Sequence, residues 1–276
     1  MATDDNKDFG FSEKQRARFL EHGYLRLGHV LTETELSALQ QRIDEIMMGQ
    51  VCYQHMRMQL LDPESGQLRR TMGHEVACLA YRRIDDLEQD PLFLAFIQHS
   101  RFASIARNLV GQHVSVFRSM FMNKPAHWAQ TLPWHQDVGV GWGIDTNPIM
   151  TMWTALDSAG PDNGGMQIVP GSHRQGIINE RHFLAEDEID RYAPEGAIME
   201  LDVEAGESIL LHNFLLHRSG TNPTSAARRA FSVTYMDGAT RTLDTGQTFP
   251  VVFGSNALDP ETVPGKPAEL VEKFYG

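Results

Sequence analysis

His135 and Asp137 have the types and spacing for metal chemistry, in the run Leu132-Pro133-Trp134-His135-Gln136-Asp137. On an extended segment side chains alternate between faces, so two residues set two apart point the same way. One imidazole nitrogen and one carboxylate oxygen can then reach a single cation. A further histidine from a distant strand would complete the 2-His-1-carboxylate set that holds Fe(II) and leaves positions open for O2 and substrate. The run Ser208 to Gly220 offers two, His217 as first candidate and His212 as its competitor. An HxD pair by itself says little in a chain with 12 His and 36 acidic residues, so the flanks have to decide.

Such donors work only if rigid elements hold them, and the pattern after Gly111 supplies those elements. Val114, Val116, Met120 and Met122 fall in short extended runs. Ile149 to Leu156, Met166 to Val169, Ile198 to Val203, Ser208 to Leu211 and Arg229 to Met236 read as further strands, punctuated by Gly, Pro and Asn. Short strands at this spacing predict a sandwich or barrel of jelly-roll type. Before Gly111 the pattern is mainly helical. Ser12-Glu13-Lys14-Gln15 and Thr32-Glu33-Thr34-Glu35 read as helix starts, and Leu36, Leu39, Ile43, Ile46 and Met47 share one helix face. Gly23 to Leu27 alternates like a strand, and Ile84 to Gly111 reads as helical with Asp90-Pro91 as a start. Residues 51–80 have no clear period and are expected to form a lid or pocket wall. Phe183 to Tyr192 reads as an acidic surface excursion, residues 1–10 as frayed, and the chain from Asn256 as a tail packed outside. One domain over residues 1–276 is expected, with a helical part at about 11–111, a jelly-roll core at about 112–240 and a C-terminal tail.

Composition sets outer bounds. With 41% hydrophobic and 22% charged residues the chain is an ordinary globular one. A net charge of −12 argues against a nucleic-acid partner but leaves room for a local basic pocket that takes a small anion. Cys52 and Cys78 have no zinc-ligand spacing and form no disulfide framework, so two free thiols in a reducing cytosol are expected. The polar start is unlike a signal peptide, and no run approaches the ~18 apolar residues of a membrane span. A soluble, cytoplasmic protein follows as the expectation.

Four motifs, Asn123-Lys124-Pro125, Trp134-His135-Gln136-Asp137, Asp162-Asn163-Gly164-Gly165 leading to Pro170-Gly171-Ser172-His173, and Leu216-His217-Arg218-Ser219-Gly220 with Arg228, stand in this order. In these motifs the chain resembles the phytanoyl-CoA dioxygenase family of Fe(II)/2-oxoglutarate-dependent oxygenases, from roughly Phe11 to Met236. The resemblance implies a mainly β fold with flanking helices, a cupin-like double-stranded β-helix. It implies that His135, Asp137 and His217 hold iron. His217 is preferred over His212 because Ser219 and Gly220 follow it and Arg228 stands 11 residues on, as in the family. By the same carry-over, Arg228 pairs with the remote carboxylate of 2-oxoglutarate through its guanidinium fork, and Ser219 hydrogen-bonds that carboxylate. Met120 and Trp153 line the cosubstrate, although by residue type alone both are core residues. Arg83 aligns loosely with a further basic cosubstrate contact. Arg229 should face the other side of its strand. His173 is expected to shape its turn rather than bind metal.

The implied reaction hydroxylates an aliphatic carbon of a small molecule with O2, releasing succinate and CO2; desaturation or ring closure can branch from it. Halogenating relatives carry a small residue where Asp137 stands, so halogenation is disfavoured. The family acts on acyl-CoA, amino acids, phosphonates and secondary metabolites, and membership does not choose among them. Trp142, in the Gly-rich run Val138 to Gly143, is a candidate substrate contact, and Arg69, Arg70 and His74 are candidates to meet an anion. Two rivals are a catalytically silent jelly roll that binds a small ligand and a hydrolase or isomerase using another divalent ion. Neither has a use for the whole set of triad, Arg228 and Ser219.

Overall fold

The structure is a computed structural model and describes residues 10–62 and 65–263. In chain order the elements are α1 (Glu13–His22), β1 (Tyr24–His29), α2 (Glu33–Met47), β2 (Arg57–Leu61), β3 (Leu68–Met72), β4 (Tyr81–Asp85), α3 (Pro91–Ile97), α4 (Ser100–Leu109), β5 (Val114–Lys124), β6 (Leu132–His135), β7 (Met150–Ala155), β8 (Met166–Ile168), α5 (Glu186–Tyr192), β9 (Met199–Glu200), β10 (Glu207–Leu211), β11 (His217–Ser219), β12 (Arg228–Asp237) and β13 (Val251–Phe253).

Strands β5 to β12 make a jelly roll. One sheet contains β10, β7, β12 and β5 side by side; the other is ordered β6-β11-β8-β9. Successive strands cross between the sheets except at β8 and β9, so donors far apart in sequence meet across the roll. The larger sheet is extended by β1 beside β10, and by β4, β2 and β3 beyond β5.

The centre of the larger sheet is buried on both faces, which the side-chain alternation of β7 shows directly. Met150 and Met152 join Phe121, Phe231, Ile43 and Phe93 in the core under the helices. Trp153 and Ala155, on the opposite face, join Ile168, Ile209 and Ala230 between the sheets. The helices therefore form an outer layer over one face, and the smaller sheet closes the other. Both expected helix starts are capping boxes: Ser12 accepts from Gln15 N while Gln15 Oε1 accepts from Ser12 N, and Thr32 and Glu35 do the same. Leu39, Ile43, Ile46 and Met47 are buried from the helix face the sequence marks.

Three segments differ from the sequence expectation. Ile84 and Asp85 belong to β4 rather than to a helix. The helix expected up to Gly111 is two, because His99 leaves helical geometry and its ring accepts from Arg101 N at 3.2 Å to cap α4. Residues 51–80, read as irregular, hold the β2–β3 hairpin; β3 is the edge strand and is exposed along most of its length, while β2, paired on both sides, buries only Met58 and Leu60. Val114 to Met122 is one long strand. The tail beyond Asn256 is described only to residue 263, where Val263 is buried; the frayed start expected before residue 10 lies outside the described residues. Cys52 and Cys78 form no disulfide among the described residues, and the Cys52 thiol donates to Gly49 O at 3.3 Å. No described helix is long and apolar enough to cross a membrane.

Candidate metal centre and its cavity

His217 on β11 pairs in register with His135 on β6, and this brings the two imidazoles together. Their rings lie 4.1 Å apart between centroids. Asp137 Oδ1 is 3.9 Å from His135 Nε2, and its Oδ2 is 3.6 Å from His217 Nε2. One donor atom from each of His135, Asp137 and His217 lies within 4.8 Å of the others. His212 is not in this group; its ring packs against Phe19, His173 and Phe214.

Backbone carbonyls fix which nitrogen each ring presents. His135 Nδ1 stands 2.8 Å from Pro133 O, and His217 Nδ1 stands 3.0 Å from Leu215 O, two residues back in both cases. Nδ1–H donates to the carbonyl and Nε2 is left as the free donor, the orientation that metal-ligating histidines need. Burial, and after it the neighbouring His217, push the His135 imidazole down to about 3, so it is neutral at working pH. Burial works to raise Asp137, but His217, His135 and Arg118 hold its carboxyl below the ordinary range. Asp137 is tied by its own backbone: Asp137 N donates to Asn213 O at 2.8 Å, and Asn213 returns a bond to Asp137 O.

The three donors open into a cavity of about 320 Å³. Of the residues expected to hold the cosubstrate, Met120, Trp153, Ser219, Arg228 and Arg83 all line it. Arg228, 5% exposed, donates from Nη2 to Gly164 O at 2.6 Å, while its Nε is buried without a partner. Burial, and then Arg82 nearby, push its guanidinium down to about 10. A buried guanidinium with an orphaned donor beside a cavity fits a carboxylate. The Asp162-Asn163-Gly164-Gly165 turn is built for this contact. Gly164 has φ +77, and a Cβ there would meet Thr221 O at 2.7 Å and Lys124 Cδ at 2.8 Å, so only glycine lets its carbonyl reach Arg228. Arg229 faces away, bonded to Asp157 and Asp44.

Arg83 has a partner already, since Asp85 takes its Nε and Nη2 at 2.7–2.9 Å. Trp142 is not among the residues lining the cavity; it stacks on Phe117 at 5.1 Å and lies under the Arg118 guanidinium. Arg69 pairs with Glu75, and His74 contacts Met47 O and Tyr81; like Arg70, neither lines the cavity. The 51–80 hairpin contributes Gln59 and Leu68 to the wall. His173 reaches back to Leu20 O at 3.0 Å and so shapes its turn.

Among the wall residues that sequence reasoning missed are Arg82, His182 and Phe183. Arg82 lines the cavity beside Arg83 because β4 carries an extra residue: Leu60 pairs with Tyr81 but Gln59 with Arg83. Tyr81 and Ile84 both enter the outer core, and the bulge between them turns both arginines to the cavity. Two apolar residues three apart around an arginine doublet were the available signal. His182, at φ 76, places its ring 5.1 Å from that of His135, and Phe183 pairs with His135 as an extra strand residue. No local pattern marks that segment; only its pairing beside β6 brings it in.

A jelly roll with two imidazoles and a carboxylate converging on one point, open on the cavity side, defines the class of the non-haem Fe(II) oxygenases. Residues 19–230 match the phytanoyl-CoA dioxygenase (PhyH) family, and the chain belongs to that family. It is 24% identical to phytanoyl-CoA dioxygenase domain-containing protein 1 of Bos taurus, over 83% of this chain and 91% of the relative. It is 20% identical to the peroxisomal phytanoyl-CoA dioxygenase of Rattus norvegicus, over 96% of this chain and 77% of the relative. Among solved structures, EctD from S. alaskensis with 2-oxoglutarate and 5-hydroxyectoine has the same fold, at a TM-score of 0.68 and 21% identity, over 92% of this chain and 87% of EctD.

Proposed function

We propose that this protein is an Fe(II)- and 2-oxoglutarate-dependent dioxygenase that hydroxylates an aliphatic carbon of a small molecule. One observation carries the reading: the three-donor group and the buried guanidinium of Arg228, whose Nε has no partner, open into the same small cavity. His135, Asp137 and His217 would hold iron through two Nε2 atoms and a carboxylate oxygen. Arg228 and Ser219 would take the remote carboxylate of 2-oxoglutarate, with Met120 and Trp153 along its chain and the Arg82–Arg83 bulge as neighbouring positive charge. Iron with 2-oxoglutarate supplies an oxidant made from O2, with succinate and CO2 released. The protein's own part is to orient and exclude. The Nδ1–carbonyl bonds keep both rings aimed, the turn at Gly164 holds Arg228, and the His182–Phe183 segment covers His135. Asp137 as third ligand favours hydroxylation over halogenation; desaturation or ring closure of the same substrate would use the same site.

The test is anaerobic loading with Fe(II) and titration of 2-oxoglutarate, followed by the weak visible charge-transfer band of the chelate. The band should form in the wild type and vanish in folded His135→Ala and Arg228→Ala proteins. A folded, iron-loaded wild type without the band would overturn the reading.

A further inference from the structure

Five arginines, Arg82, Arg83, Arg118, Arg218 and Arg228, line the cavity, against the single carboxylate of Asp137, in a chain whose net charge is −12. Three of them have polar partners, and a fourth, Arg82, lies at the Arg228 end of the cavity. Asp85 holds Arg83. Gln167 and the Trp134 ring hold Arg218. Arg228 has the cosubstrate role, and Arg82 stands beside it over Trp128. Arg118 is left.

Arg118 sits at the opposite end of the same strand pair from Arg228. On β5 and β12, Lys124 pairs with Arg228 and Arg118 with Thr234. Six residues of strand put the two positions about 20 Å apart. Arg118 is instead the guanidinium whose charge Asp137 and His182 feel, next to the metal donors. It makes no ion pair among the described residues. The carboxylates whose charge reaches it are engaged elsewhere, Asp85 by Arg83 and Asp137 by the donor group.

What holds Arg118 is aromatic. Its guanidinium carbon lies 4.4 Å from the Trp142 ring centroid and 4.8 Å from that of Phe117, and the two rings stack on each other. Phe249 meets Phe117 edge-on and steadies the pair. Contact with the two rings holds the group without cancelling its charge, and its N–H donors make no hydrogen bond among the described residues. Burial lowers the Arg118 pKa, as expected for a cation short of a counter-ion, and an incoming anion would relieve that cost.

We infer that Arg118 is the anchor for an anionic group, a carboxylate or phosphate, on the substrate, with Trp142 acting beneath it as a positioning residue. The inference rests on the oxygenase reading only in placing the substrate's reacting carbon at the metal. The cavity also limits size: about 320 Å³ is at the low end of the ~300–1,000 Å³ typical of small-ligand sites, and it must admit the cosubstrate too. The enclosed part of the substrate is therefore a short acid or phosphoester, with its reacting carbon a few bonds from the anion.

The experiment titrates butyrate, its neutral counterpart butyramide and inorganic phosphate, at constant ionic strength, into anaerobic protein holding Fe(II) and saturating 2-oxoglutarate. Butyrate or phosphate should perturb the chelate band and raise the melting temperature, and butyramide should do neither; the stronger of the two anions identifies the group. Arg118→Gln should weaken the anion response at least tenfold and leave the 2-oxoglutarate band in place. Arg118→Lys, which keeps the charge, should recover part of the response and also controls for folding. An undiminished response in folded Arg118→Gln, an equal response to butyramide, or no response to either anion would overturn the inference. Should the chelate band never form, the oxygenase reading fails by itself. Melting curves of metal-free protein then still decide the anchor: protection by butyrate must survive Arg228→Gln and be lost in Arg118→Gln.

Discussion

Between the donors His135 and Asp137, the Gln136 side chain turns away from the metal and closes three backbone hydrogen bonds. Its Nε2 donates to Gly176 O at 2.8 Å and Phe214 O at 2.7 Å, and its Oε1 accepts from Ile178 N at 2.9 Å. Alternation thus gives the HxD spacing a second use: outer residues for the metal, the middle one to clamp the loops behind it. The two-residue spacing was legible because it is local. The partners of Gln136 lie 40, 42 and 78 residues away, and only the folded roll brings them near. Gln136→Leu keeps the bulk and strands two carbonyls and one N–H in a buried place. It should cost roughly 3 kcal/mol in urea unfolding. Because the clamp orients both ligands, apparent Fe(II) affinity should fall ~10–100-fold. A metal titration of the folded variant showing wild-type affinity would refute the clamp's role.

At the scale of elements, legibility followed burial pattern. Strands β5, β7, β10 and β12 were readable because they are buried on both sides and rich in apolar residues, while the edge strand β3 is exposed at most positions and its neighbour β2 buries only Met58 and Leu60. The bulge on β4 hid Arg82 because a one-residue insertion breaks the period-two rule on which a strand reading rests. Helix starts read well, since caps are chemical and local, and α3 shows how much one cap holds. Asp90, fully buried, accepts from Leu92 N and Phe93 N and takes a 2.5 Å bond from Tyr53 OH. It therefore joins the first turn of α3 to the chain after α2. Asp90→Ala should destabilise by about 3 kcal/mol, from a lost cap plus the loss of the buried carboxylate that Tyr53 OH and Arg42 face. Asp90→Asn should restore over half of that, since its amide oxygen still caps. Because α3 packs on the sheet face opposite the cavity, Fe(II) affinity should be unchanged in both, measured below the melting point. Equal losses in the two variants would mean that the cap is not what Asp90 supplies.

For the whole molecule, the segment between β10 and β11 links helix layer, sheet and metal centre, and it carries a pH-sensitive group. His212 there lies under α1, 5.8 Å from Phe19 and 4.8 Å from His173, and its backbone N–H donates to Gly23 O. Burial, and after it the charge of His173, push its imidazole down to about 4 from an ordinary 6.5. The folded state therefore binds this proton less readily than the unfolded chain. As pH falls below about 6.5 the unfolded state gains protons first and stability declines, until both states are protonated below about 4. Buried Glu88 and Asp90, whose pKa values burial raises, act in the opposite sense, so the total pH profile does not isolate the histidine. The difference between wild type and His212→Gln isolates it together with its coupling to His173, because groups that do not touch it cancel and Gln keeps an acceptor for Phe214 N. Between pH 7 and pH 4.5 the wild type should lose on the order of 2 kcal/mol more than the variant in urea unfolding. The same protonation places a charge against Phe19 of α1 and should loosen the segment that carries His217, so Fe(II) affinity in the wild type should fall more steeply over this range than in His212→Gln. Parallel pH profiles for the two proteins would show that His212 is solvated when charged, and that the helix layer and the metal centre are not coupled through it.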